Sequence, residues 1–403
     1  MIYVHVPFCR SFCTYCDFYS EVAARCRKAD DILKQEILFG DFAQALAGEV
    51  RSRAGEIKDD VNTLYIGGGT PSVLPLSAFR TLLEALHAVG HAGPYDEFTV
   101  EVNPEDIVDK GHSYVEDLLG LGVNRISMGV QSFDDAVLKF MNRRHDSETS
   151  RRAYAILEDA GVRNISIDLI FGLPQLSSSQ WSETLDKALN ISPRGNLPQH
   201  ISSYQLSVEP GSMLARLVEK GSWSEASEER CHEQYAALCS SLSSAGYNHY
   251  EISNFAQPGF EARHNSAYWR HVPYVGLGPG AHSFRHFLSP DVNSGSMEFI
   301  STRQWNCSDL QAYLAAGRSG DFSSVQEGES LDADQLVMER LMLGLRTSAG
   351  LPESFLISHC DSSALSRAIS AGHLVPAGHS AESYLRIPEA HFFISDSIIA
   401  SLL

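Results

Sequence analysis

The sequence predicts an α/β protein: an incomplete (β/α)6 parallel barrel over residues 1–285, followed by a small, mainly helical domain over 286–403. Three observations predict it. Short apolar runs alternate with helix-period segments over about the first two-thirds of the chain, the order of a parallel sheet with crossover helices. Six such units occur without a dinucleotide-binding glycine fingerprint, which favours a barrel over a doubly wound sheet. After about residue 285 the rhythm changes at a polar, Gly/Ser-rich stretch, SPDVNSGSMEF, that reads as a connection between domains.

The strands follow in order as MIYVHV (1–6), NTLYIGG (62–68), EFTVEVN (97–103), RISMGVQ (125–131), ISIDLIFG (165–172) and ISSYQLSVE (201–209). Between them lie LSAFRTLLEALHAVG, DSETSRRAYAILEDAG and SSSQWSETLDKALN, amphipathic segments of which several open on Ser or Asp, residues that cap helix N-termini. Past the change of rhythm, DADQLVMERLMLGLR and ALSRAISAGHLV read as helices, and YLRIPEAHFFISDSIIASLL as a short hairpin and a helix.

Bulk composition excludes several classes. Of 403 residues, 43% are hydrophobic, enough for a substantial core. Lys and Arg number 31 against 50 Asp and Glu, a formal charge of −19 without basic runs, so a nucleic-acid surface is not expected. No apolar run of membrane-spanning length occurs, and no secretory signal precedes Cys9. A cytoplasmic chain with reduced thiols is the expectation.

Three of the eight cysteines, Cys9, Cys13 and Cys16, form C-x3-C-x2-C directly after the first strand; the other five, Cys26 among them, are scattered singly and read as inert thiols. In a parallel barrel, loops at the carboxyl ends of strands carry function. Three thiols on one such loop suit an iron–sulfur cube with one open iron. A zinc loop completed by His5 or Asp17 is the alternative. The second strand ends in GGGTPS, where glycines allow close backbone approach and expose N–H groups. Glu101 and Gln131 end the third and fourth strands, and Asp168 interrupts an apolar fifth, a costly place for an unpartnered carboxylate.

With these residues in view, the chain resembles the radical S-adenosylmethionine superfamily. HVPFCRSFCTYCDFYS, GGGTPS, EVNPE, GVQSFDD, NRRH, DLIFGLP, SVEPGS, HNSAYW, GLGPGAHSF and GLRTSAGL together resemble its coproporphyrinogen-dehydrogenase/HemW branch over nearly the whole length. The resemblance implies a [4Fe–4S] cluster on Cys9, Cys13 and Cys16, its open iron chelated by S-adenosylmethionine. It implies contacts from Gly68, Gly69 and Thr70 to the cofactor's amino-acid end. Tyr3, Tyr15, Glu101, Gln131, Arg143 and Asp168 match positions lining the cofactor, and Gln205 and His282 its adenine side. Such sites pass one electron to the sulfonium, giving methionine and a 5′-deoxyadenosyl radical.

Two departures separate the chain from the dehydrogenase pattern. Phe18 stands where that pattern has an extra cysteine, and only eight residues precede Cys9. Both resemble HemW-type haem chaperones. The resemblance therefore implies haem as cargo, with His264, Asn265, Tyr268 and Trp269 as the expected haem site and His249, His271 and His282 as rival ligands. It also implies a haem-acceptor protein and an electron donor, both unidentified, and leaves a homodimer open. Oxygen-independent coproporphyrinogen III dehydrogenase is the alternative function, and a radical tRNA-modifying enzyme stands well behind on charge.

Overall fold

The computed structural model describes residues 1–22, 29–57, 61–290, 297–378 and 383–403; Cys26 lies outside them. All six expected strands are present: β1 (Ile2–Val6), β2 (Thr63–Gly68), β3 (Glu97–Val102), β4 (Arg125–Gln131), β5 (Ile165–Phe171) and β6 (His200–Gln205). They pair in chain order and all in parallel. Three short strands extend the sheet: β7 (Asn248–Glu251), β8 (Asn254–Ala256) and β9 (Val275–Leu277). The nine-stranded order is β9-β1-β2-β3-β4-β5-β6-β8-β7, with β9 parallel to β1 and β8 antiparallel to β6.

The strands are apolar because both faces are covered. In β4 only Gln131, at its carboxyl end, is not fully buried. The helices between them are α1 (Ala29–Ser52), α2 (Leu76–Ala88), α3 (Pro104–Gly120), α4 (Ser147–Asp159), α5 (Ser178–Leu189) and α6 (Glu228–Ser244). Asp146 caps α4 by accepting from the Thr149 N–H, and Ser177 forms a capping box with Gln180 on α5. A further helix, α7 (Arg263–Trp269), carries all of HNSAYW.

The expected break near residue 285 falls inside a strand. β10 (His282–Pro290) runs antiparallel to β11 (Met297–Asn306), which pairs with β12 (Gln326–Leu331). Both ends of the stretch that reads as a linker are therefore ladder, on either side of residues 291–296, which lie outside the described residues. Its sequence misleads because HSFRHFLS places an aromatic or apolar residue on each face and shows no clean alternation. The remainder is mainly helical, including α8 (Leu310–Ser319) and α9 (Ala333–Gly344), with a small antiparallel sheet of Leu351–Pro352, Tyr384–Arg386 and Val375–Ala377. One contiguous apolar core runs from Ile2 to Leu402. Among the described residues no helix is long and apolar enough to cross a membrane.

Candidate functional site

The carboxyl ends of β1 to β6 open on a cavity of about 390 Å3. Its lining includes Cys9, Cys13, Cys16, Tyr15, Gly68, Gly69, Thr70, Glu101, Gln131, Arg143, Asp168, Gln205 and Asn265. Sequence reasoning thus finds the cysteine loop and most of the expected cofactor residues in this wall. Two expected cofactor residues are not part of it. The Tyr3 hydroxyl meets His5 Nδ1 at 3.0 Å, and its ring lies 6.1 Å from that of Tyr65. His282 is exposed and stacks on Trp305 at 5.7 Å. Arg125, Ser127, Ser202 and Asn103 line the cavity and were not anticipated. Their signal is positional: each sits on, or directly after, a strand of the barrel.

The cysteine loop is held by its neighbours. Thr70 Oγ1 donates to Cys9 Sγ at 3.5 Å and Arg143 Nη1 to Cys13 Sγ at 3.3 Å. Burial, reinforced by the Cys13 thiolate, pushes Cys16 up to about 12, and burial also raises Cys9. Three crowded, half-buried sulfurs are a donor set that a multiply charged iron core stabilises. The His5 ring is not free to complete a zinc site, since Tyr3 occupies Nδ1 and the Tyr19 carbonyl meets Nε2 at 2.8 Å. Three thiols beside an open cavity fit the cluster.

The glycine run serves packing more than N–H exposure. A Cβ at Gly67 would lie 2.7 Å from the Glu101 carboxyl, and one at Gly69 2.7 Å from both the Val6 and Phe8 carbonyls. Gly68 has φ +102°, and a Cβ there would lie 2.5 Å from the His5 ring. The N–H groups are already engaged: Gly68 donates to Glu101 Oε2 at 3.0 Å, Gly69 to the Val6 carbonyl at 2.8 Å and Thr70 to the Phe8 carbonyl at 2.7 Å. The expectation of exposed donors is corrected accordingly. The glycines let β2 lie against the loop that carries Cys9.

Charge is concentrated in the cavity wall. Tyr65 donates to Glu101 Oε1 at 2.7 Å, but burial and then the nearby Asp168 push Glu101 up to about 7. Burial lifts Asp168 to about 6 against donation from Ser202 and Ser127 and the charge of Arg125. Arg143 Nη2 donates to Asn103 Oδ1 at 2.6 Å and to the Gly129 carbonyl at 2.8 Å, while its buried Nε has no partner. An under-satisfied guanidinium beside the cysteine loop suits the carboxylate of S-adenosylmethionine. Two carboxyls deeper in the barrel suit its ribose or ammonium.

The HNSAYW segment has a different part from the one expected. His264 is 1% exposed. Its Nδ1 meets Thr63 Oγ1 at 2.9 Å and its Nε2 the Tyr268 hydroxyl at 3.1 Å, so both ring nitrogens are engaged. Glu97 accepts from the backbone N–H of Arg263 at 2.7 Å and of His264 at 3.1 Å, capping α7. The His264 ring lies 5.1 Å from that of Tyr65, and Asn265 reaches the cavity wall. His264 offers no free nitrogen to an iron; with Tyr268 it fastens α7 to the amino ends of β2 and β3. The rival His249 is likewise engaged, Nε2 facing the Ile252 carbonyl at 3.4 Å, and His271 Nε2 meets Glu339 at 2.9 Å.

A partial parallel barrel with a three-cysteine loop and a carboxylate-lined, arginine-gated cavity at its mouth defines a radical S-adenosylmethionine protein. Comparison agrees: residues 3–188 match the model of the Radical SAM superfamily. Heme chaperone HemW of Synechocystis is 32% identical over 87% of this chain and 78% of its own length. HemW of Escherichia coli is 35% identical over 70% and 69%. The mitochondrial radical S-adenosyl methionine domain-containing protein 1 of Danio rerio is 32% identical over 87% and 73%. Coproporphyrinogen III oxidase (HemN) of Escherichia coli superposes with a TM-score of 0.75 at 19% identity, over 100% of this chain and 89% of that one, and so shares the fold. The chain belongs to the HemW family of the radical S-adenosylmethionine superfamily. That membership brings a [4Fe–4S] cluster and S-adenosylmethionine, which the residues above fit.

Proposed function

We propose that the protein is a cytoplasmic haem chaperone, binding haem together with a [4Fe–4S] cluster and S-adenosylmethionine and passing haem to an acceptor protein. The observation that carries this reading is the 30–35% identity to relatives named as haem chaperones, over most of this chain. The cavity supports it. A volume of about 390 Å3 lies toward the small end of the range for a single small-molecule ligand, so S-adenosylmethionine leaves little room for a tetrapyrrole beside it. Phe18, which replaces the extra cysteine of the dehydrogenase pattern, stands 62% exposed at the cavity rim.

When bound, the cluster supplies one electron to the cofactor's sulfonium, drawn from a donor protein yet to be identified. The chain's own groups orient. Cys9, Cys13 and Cys16 hold the iron, Arg143 steadies the Cys13 thiolate and the cofactor carboxylate, and Glu101 and Asp168 accept from its polar groups once ionised. The test is made on one reconstituted preparation. Haem uptake near one per chain with no protoporphyrinogen formed from coproporphyrinogen under reducing conditions is expected. Sustained product formation would move the protein to the dehydrogenase class.

A further inference from the structure

Resting on the chaperone reading, we propose that haem docks on the open face of the β10–β11 hairpin, with His286 Nε2 as its axial ligand. Two observations place the haem outside the barrel. The cavity, at about 390 Å3, has little room for a tetrapyrrole beside S-adenosylmethionine, and His264 of HNSAYW has both nitrogens engaged, as do His5, His145 and His200. His286 differs. Its Nδ1 meets Ser301 Oγ at 2.8 Å, directly across the strand pair, while among the described residues Nε2 has no partner. An imidazole fixed through one nitrogen, with the other free, is the arrangement that orients a metal-bound histidine.

The surroundings suit a flat, apolar macrocycle. Along β10, residues 284, 286 and 288 share one face, and in register Leu288 sits opposite Phe299 on β11. These two are 62% and 61% exposed, paired apolar side chains left in water. The Phe299 ring lies 5.0 Å from that of His286, and Phe284 meets His286 edge-on at 4.6 Å. Phe284 is backed by His271, stacked at 4.1 Å, which makes the floor rigid. A haem ligated by His286 covers Leu288 and Phe299 with one face and leaves its propionates in water.

The experiment titrates haemin into cluster-loaded wild type, His286→Ala, His282→Ala, Ser301→Ala and Phe299→Glu, following the Soret band and the axial-histidine signature by resonance Raman or electron paramagnetic resonance. Unchanged iron content shows that each variant is folded. His286→Ala is expected to lose the axial signature, with exogenous imidazole restoring it in His286→Gly. Ser301→Ala is expected to weaken uptake about tenfold, Phe299→Glu to weaken it with the histidine signature retained, and His282→Ala to behave as wild type. Wild-type affinity and signature in His286→Ala, or their loss in His282→Ala instead, overturns the site alone. No uptake by the wild type overturns both the site and the reading beneath it. A wild-type dimer that Phe299→Glu dissociates without loss of haem uptake assigns the face to a second copy and overturns the proposal.

Discussion

Gly69 shows what a single residue decides here. A Cβ at that position would lie 2.7 Å from two carbonyls of the loop that carries Cys9, so Gly69→Val must move that loop and not merely narrow a cofactor site. Iron and sulfide content after anaerobic reconstitution is expected to fall in Gly69→Val nearly as far as in Cys13→Ala; a full cluster in Gly69→Val would refute the packing role. Glu101 is expected to make cofactor binding pH-dependent. Its carboxyl is held up to about 7 by burial, and the ionised form accepts from the cofactor's ribose or ammonium far more strongly than the protonated one. Affinity by calorimetry should therefore rise with pH, about tenfold per unit well below that value, and flatten above it. Glu101→Gln should lose most of the slope. Without cofactor the sign reverses for stability: the folded state holds its proton more tightly, so this group's contribution is full below about 4.5 and lost as pH rises through about 7. At this scale the cysteines, Arg143, Glu101 and Asp168 were legible because their chemistry is unusual where they stand. His264 misled, since a sequence shows an imidazole but not whether Thr63 and Tyr268 already hold its nitrogens.

Among the elements, those with long apolar runs were legible and those whose burial depends on neighbours were not. β1 to β6 read correctly because strands covered on both faces are apolar throughout. NHYE, NFA and VGL, which became β7, β8 and β9, are too short to carry a period. The β10–β11 hairpin was read as a linker because SPDVNSGS is rich in turn residues while its flanks mix imidazole, aromatic and charge. α7 depends most on a partner outside itself: its two leading N–H groups donate to Glu97, a buried carboxylate on another element, beside the buried Arg125. Glu97→Ala removes the cap and the largest of the negative charges facing the buried Arg125, so a loss of about 3 kcal/mol is expected by urea denaturation. Because Asn265 on α7 lines the cavity, cofactor affinity should fall as well. A loss below about 0.5 kcal/mol would place Glu97 among ordinary surface caps.

For the whole molecule, Glu49 decides whether the barrel and the C-terminal part unfold separately. It is fully buried on α1. Its Oε1 accepts from Arg53 Nη1 at 3.1 Å and Asn306 Nδ2 at 2.8 Å, and its Oε2 from the Gly278 N–H at 2.9 Å and the Tyr313 hydroxyl at 2.6 Å. Arg53 in turn donates to the Gly276 carbonyl at 2.7 Å and Ser283 Oγ at 2.9 Å. One carboxylate thus ties α1, the turn after β9, β11 and α8, elements on both sides of residue 285. Around it the Phe42 and Tyr313 rings, 6.3 Å apart, continue the same core. A hub of this kind makes separate unfolding expensive, because parting the halves takes the Asn306 and Tyr313 donors away from a buried carboxylate. Wild-type amide exchange in β1 and in α8 is therefore expected to reach one common opening free energy. Glu49→Leu keeps the volume but removes every acceptor, and should lower stability by about 3–5 kcal/mol. In that variant α8 should open at lower denaturant than β1, splitting one transition into two. Two transitions already present in the wild type would mean that the shared core does not couple the two parts.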